Sequence, residues 1–302
     1  MSSRQHALRR APRPLRGRVV AISGGARGLG LAMGQALAER GCRVALGDLD
    51  GDLAAAEASA LAGPGPHHGG SLDVTSRESF AAFLDEAARA LGPLDVLVNN
   101  AGIMPIGPFA EEDPAVSRRQ VEINVLGVIT GTQLALDRML PRRTGHVVNI
   151  ASAAGKVGLP HEATYCATKH AVVGLGDALW FELRGTGVDI TTVCPNLADT
   201  ELAAGMRTSR GMRLVRPREV AEVVVSCLER PRAEVTVPTW LGGLLKPQSI
   251  MPPRMRLAMA RLFGTDRIAV GYDAGARAGY VERTSGEAGV AGRDPDVAAR
   301  TS

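Results

Sequence analysis

Aromatic side chains are scarce: two Trp, three Tyr and five Phe make up 3% of 302 residues. That leaves no stacking platform of the kind that binds single-stranded nucleic acid. Cysteine is scarce too. Cys42, Cys166, Cys194 and Cys227 are scattered without metal-ligand spacing, so neither a metal site nor a disulfide framework is expected. Free thiols suit a reducing compartment, and a cytoplasmic location is the expectation. No apolar run approaches the length of a membrane-spanning helix. No secretory signal is read either, because the amino terminus lacks an apolar core. Lysine is nearly absent, with 3 Lys against 32 Arg. The net charge of +4 comes from the first 18 residues, which hold six Arg and no acid; subtracting those six leaves −2 for the rest. A near-neutral remainder gives no electrostatic reason to expect nucleic acid as a partner.

What is present is a globular composition, with 45% hydrophobic residues. Residues 1–17 read as a disordered basic arm. Short apolar runs then alternate with helical segments. Strands are expected near 19–22, 43–47, 69–72, 94–98, 146–150, 188–193 and 235–237. Helices are expected near 52–62, 76–91, 114–140, 163–184 and 217–229, and one follows the first strand to about Arg40. Unbroken apolar strands separated by helices predict an α/β fold, a parallel sheet covered on both faces.

The first strand ends in Ser23-Gly24-Gly25-Ala26-Arg27-Gly28-Leu29-Gly30. Strand, glycine-rich turn and helix together bring backbone amides to a phosphate at a helix N-terminus. Arg27 either touches that phosphate or is solvated. Asp48 ends the next strand 18 residues past Gly30, where a carboxylate accepts from the hydroxyls of a dinucleotide's ribose.

Tyr165 and Lys169 lie four apart in a predicted helix, so they share a face. A phenol titrates near 10, and bringing it to neutrality takes roughly 4 kcal/mol. One cation at about 4 Å supplies about that much in an effective dielectric near 20. The pair is a candidate proton-exchange device for a hydroxyl or carbonyl. Cys166 reads as a packed residue. His161 and His170 read as surface or packed histidines, with no second ligand spaced for a metal.

With these residues placed, the chain resembles the short-chain dehydrogenase/reductase family over roughly residues 16–238. The family's Thr-Gly-x-x-x-Gly-x-Gly turn is here Ser23-Gly24-x-x-x-Gly28-x-Gly30. Its Asn-Asn-Ala-Gly stands at 99–102, and its catalytic tetrad maps onto Asn124, Ser152, Tyr165 and Lys169. The family's Pro-Gly motif is altered to Pro195-Asn-Leu-Ala-Asp-Thr200, where Asn196 is expected to tolerate a positive φ.

The resemblance implies a doubly wound, seven-stranded sheet of order 3-2-1-4-5-6-7. It implies cofactor contacts from Leu49 beside Asp48, from Asp73 and Val74 against adenine, and from Asn100, Ala101 and Gly102. Pro195 and Thr200 would flank the nicotinamide. Lys169 would bind the nicotinamide ribose and lower the pKa of Tyr165, which exchanges the proton, while Ser152 would bond the reacting oxygen. Asn124 would hold a relay water or only brace its helix, and Ser152 is also a candidate turn cap. Asn99 reads as structural. Homodimers or homotetramers would form through helices 114–140 and 163–184.

Asp48 repels a 2′-phosphate, so NAD(H) is expected, with NADP(H) as the alternative that Arg27 would favour. The expected substrate is a small alcohol or ketone. The Leu, Met and Ala residues from Glu201 through Met206 to Met212 and Leu214 suggest an apolar one, steroid- or lipid-like. A non-catalytic dinucleotide sensor is the competing class, but it has no need of Ser152, Tyr165 and Lys169 together. Residues 239–283 form an extension: a lid, a packing element, or an interfacial helix that meets a membrane surface through 240–263. Its helix 253–263 carries Met255, Met259, Leu262 and Phe263 on one stripe. Beyond 284 the composition is that of a disordered tail.

Overall fold

A computed structural model describes residues 12–206, 208, 213–245, 247–248 and 251–284. Seven strands form one parallel sheet: β1 (Val19–Ser23), β2 (Arg43–Asp48), β3 (His68–Ser71), β4 (Val96–Asn99), β5 (Gly145–Ile150), β6 (Val188–Pro195) and β7 (Glu234–Val237). Their order is β3-β2-β1-β4-β5-β6-β7. The helices are α1 (Gly28–Glu39), α2 (Gly51–Ala60), α3 (Arg77–Leu91), α4 (Pro114–Val121), α5 (Gly127–Met139), α6 (Ala163–Glu182), α7 (Pro217–Glu229), α8 (Leu241–Leu245), α9 (Pro253–Phe263) and α10 (Ala274–Thr284).

Alternate strand residues point to opposite faces, and this divides the core into two layers. Val20 and Ile22 of β1 join Met33 and Leu37 of α1 and Val220 and Val224 of α7. Val19 and Ala21 face the other way, with Phe80 and Leu84 of α3 and Leu134 of α5. Both faces of the strands are therefore apolar, which is why they read as runs.

β3 was hard to read because it contains two glycines instead of apolar residues. A β-carbon on Gly69 would stand 2.1 Å from the Ala54 carbonyl oxygen, so α2 packs against bare backbone there. The long helix expected over 114–140 is α4 and α5 joined by a π-helical turn, Glu122–Leu126, which carries Asn124.

One boundary differs from expectation. Residues 12–17 belong to the fold and not to a disordered arm: Leu15 is buried in the α1/α7 layer, and the Arg13 amide donates to the Glu229 carbonyl oxygen. One apolar side chain among Arg and Pro was too little sequence signal. At the other end α10 runs to Thr284, an unpredicted helix; the disorder expected for 1–11 and 285–302 lies outside the described residues. Among the described residues no helix is long and apolar enough to cross a membrane.

Candidate active site

The strand order reverses between β1 and β4, and in such sheets ligands bind at the carboxyl ends of the strands beside that reversal. A cleft of about 440 Å³ opens there. Its floor is the glycine turn. Gly24 and Gly28 take positive φ (62° and 53°), and a β-carbon on Gly30 would collide with the Gly24 carbonyl oxygen at 2.0 Å. α1 therefore starts tight against the turn. Among the described residues no side chain caps its first amides, and its first turn holds no acid, which suits an anion. Asn100 ties β4 to this turn: its Nδ2 donates to the carbonyl oxygens of Ser23 (3.0 Å) and Gly24 (2.9 Å). Asn99 is structural, bonding Thr132 and Asn149.

Gly24, Arg27, Gly28, Leu29, Asn100, Ala101 and Gly102 all line the cleft. So do Ser152, Tyr165, Lys169, Pro195 and Thr200 from the opposite wall. Thr200 faces Gly28 across the gap, with its Cγ2 3.4 Å from where a Gly28 β-carbon would be. Asp48 stands at the end of β2 and accepts from the Ala26 amide at 3.1 Å. Leu49 beside it is exposed. Arg27 pairs with Asp50 at 2.8 Å.

Gly30, Asp48, Leu49, Asp73, Val74 and Asn124 are not on the cleft wall. Asp73 accepts from the amide and hydroxyl of Thr75, and Val74 packs beside Gly127. Asn124 is fully buried. Its Oδ1 accepts from the Ile103 amide at 2.9 Å, and its Nδ2 donates to the Ile103 carbonyl oxygen and the Thr168 hydroxyl. Both amide hydrogens are used, so the side chain braces the loop after β4 against α6. Asn196 has no need of the positive φ it could tolerate: it does not take one, and its amide donates to the Val237 carbonyl oxygen and extends the strand pairing.

Ser152 lies two residues past the end of β5 and caps a short turn, accepting from the Ala154 amide at 3.1 Å. With that lone pair used, its hydroxyl hydrogen is left to donate, and it bonds the phenol oxygen of Tyr165 in the cleft. Tyr165 and Lys169 face the same space, as their spacing requires: Lys169 Nζ lies 5.7 Å from the phenol ring centre and donates to the Ile150 carbonyl oxygen at 3.0 Å.

Their titration differs from the expectation. Burial raises the Tyr165 phenol well above its ordinary value, against the lowering pull of a Ser152 hydrogen bond, and Glu162 and Tyr280 add to the rise. Burial also lowers the Lys169 ammonium to about 8. Two groups desolvated together each favour their neutral form, and this outweighs the simple charge-pair estimate.

Glu162, Met104 and Tyr280 on the cleft wall escaped the sequence reading. A signal existed for Glu162, an acid three residues before Tyr165 and hence near the same helix face. Met104 and Tyr280 carried none. The four cysteines are buried and free, and burial raises each thiol, to about 12 for Cys42 and Cys194 and about 11 for Cys166 and Cys227. Such thiols pack and do not attack.

The family model described as short chain dehydrogenase matches residues 18–211. The chain belongs to the short-chain dehydrogenase/reductase family. Among its relatives, 2-(S)-hydroxypropyl-CoM dehydrogenase 3 of Xanthobacter autotrophicus is 36% identical over 74% of this chain and 93% of its own. Estradiol 17-beta-dehydrogenase 11 of Pongo abelii is 30% identical over 85% of each chain. A short-chain dehydrogenase/reductase from Burkholderia phymatum, solved with NAD, superposes with a TM-score of 0.69 at 26% identity, covering 76% of this chain and 92% of that one. Uncapped helix amides, a glycine cradle and an acceptor at the end of β2 fit the nicotinamide dinucleotide of this oxidoreductase family.

Proposed function

We propose that this short-chain dehydrogenase/reductase interconverts a secondary alcohol and a ketone with NAD(H), with Asn124 positioning and Ser152, Tyr165 and Lys169 catalytic. The observation that carries this reading is the meeting of Ser152, Tyr165 and Lys169 in one cleft with the glycine turn. When bound, the dinucleotide supplies the hydride acceptor or donor. Ser152 donates to the substrate oxygen and stabilises the charge it gains. As the neutral phenol that burial favours, Tyr165 gives its proton to a carbonyl in reduction; in oxidation it takes the hydroxyl proton as the phenolate, the form that the charges of Lys169 and of a bound oxidised nicotinamide would favour. Lys169, held by the Ile150 carbonyl, fixes the ribose side of the cleft and keeps a positive charge beneath the phenol.

Asp48 favours NAD(H), because an anion there opposes a 2′-phosphate. The rival signal is weakened because Asp50 already holds Arg27. Met104, Leu159, Leu202, Met206 and Ile268 on the cleft wall favour an apolar substrate; residues 207 and 209–212 of the same loop lie outside the described residues. Val121, Leu126, Leu140 and Phe181 are exposed on or beside α4, α5 and α6, which favours a homodimer or homotetramer through that face. The extension acts as a lid through α10. The α9 face with exposed Met255 and Leu262 favours a membrane-surface contact as a second role. A panel of secondary alcohols, read by NADH absorbance with NAD and NADP at equal concentration, tests the assignment. Turnover of apolar alcohols with NAD is expected. Preference for NADP, or turnover of small polyols alone, would overturn the corresponding part.

A further inference from the structure

Glu162 is 3% exposed and lines the cleft, yet its Oε1 has no hydrogen-bond partner among the described residues. A carboxyl oxygen buried without a partner is costly, and proteins keep such a group where something else completes it. Its surroundings limit what that can be. Arg277 of α10 is 1% exposed, acts on Glu162 electrostatically, and has its Nη atoms committed to the carbonyl oxygens of Leu202 and Met104. Tyr280, one turn further along, accepts from the Met104 amide at 2.7 Å and keeps its own hydroxyl hydrogen. A cationic substrate group placed beside Glu162 would meet the Arg277 guanidinium. An anionic one would meet the Glu162 carboxyl. A neutral hydroxyl meets neither objection: it donates to Glu162 and accepts from Tyr280.

We propose that Glu162 accepts a hydrogen bond from a second hydroxyl of the substrate, so that the preferred substrate is uncharged, largely apolar, and hydroxylated away from the carbon that reacts. This rests on the alcohol/ketone reading above and narrows it. Glu162 is then a specificity residue supplied at the start of α6, and the extension completes its subsite.

The test compares kcat/KM for cyclohexanol and for each cyclohexanediol isomer in the wild type, Glu162→Leu and Glu162→Gln. At least one diol is expected to exceed cyclohexanol by about tenfold or more in the wild type. Glu162→Leu removes that ratio and Glu162→Gln, which still accepts a hydrogen bond, keeps most of it. Loss of folding in the leucine variant leaves the glutamine variant and the wild-type ratio to decide. A wild-type ratio near one, or a ratio unmoved by Glu162→Leu, overturns the inference while leaving the oxidoreductase reading in place. If no alcohol in this set or in the wider panel turns over, that reading falls. The subsite is then judged by thermal stabilisation with the same probes, and equal shifts for diol and cyclohexanol overturn it.

Discussion

The Arg277 guanidinium donates to the Leu202 carbonyl oxygen at 2.6 Å, tying the last described helix to the loop that follows β6. A second bond, to the Met104 carbonyl oxygen, ties the same helix to the loop after β4. One side chain thus bridges three segments over the mouth of the cleft.

Replacing Arg277 with Met keeps much of its stem and removes both bonds. Two carbonyls lose a charged donor, at about 1–3 kcal/mol each if they stay dry. The expected outcome is a lower Tm and a raised KM for the substrate, with the dissociation constant of NADH unchanged. Calorimetry, steady-state kinetics and cofactor fluorescence check the three parts separately.

Glu162 gives stability a distinct dependence on pH. Burial raises its folded-state pKa from the ordinary 4.5 to about 7. Between those values the folded protein binds more protons at this site than the unfolded chain, so its contribution is most favourable below 4.5 and is lost as pH rises through 7. The loss is on the order of 3 kcal/mol. Denaturation of the wild type and of Glu162→Gln across this range is expected to show a difference in stability that shifts in the variant's favour as pH rises. His146, buried and lowered to about 4, acts in the opposite sense in both proteins and cancels in the comparison.

Much of this was legible in sequence, for a physical reason. Strands buried on both faces, such as Val19–Ser23 and Gly145–Ile150, are built around apolar runs, with their few polar residues near the ends. Residues four apart on a helix must share a face, which placed Tyr165 over Lys169. Groups that act across the fold were not legible. Glu162 and Arg277 are more than a hundred residues apart, and only the return of α10 over the cleft brings them near. Asn124 stood out by motif, but its inward bracing position depends on a π-helical turn that no local pattern marks. The phenol's direction of titration was missed because charge pairing can be counted from spacing, whereas shared burial cannot.

Asp48 sets cofactor choice in this account. Its bond from the Ala26 amide holds the carboxylate at the end of β2. Asp48→Ser is expected to lower kcat/KM for NAD about 10- to 100-fold, the worth of a charged hydrogen bond, and to raise relative use of NADP. An unchanged ratio of the two cofactors would move the discrimination away from Asp48.

Tyr165→Phe removes one oxygen and leaves the ring, the helix and the glycine turn intact. Turnover of the best alcohol, with NADH binding measured in parallel by fluorescence, tests the role of this phenol directly. The account predicts unchanged binding and turnover lower by about 10²–10⁴-fold. Turnover close to that of the wild type would contradict it and remove Tyr165 from the proton transfer.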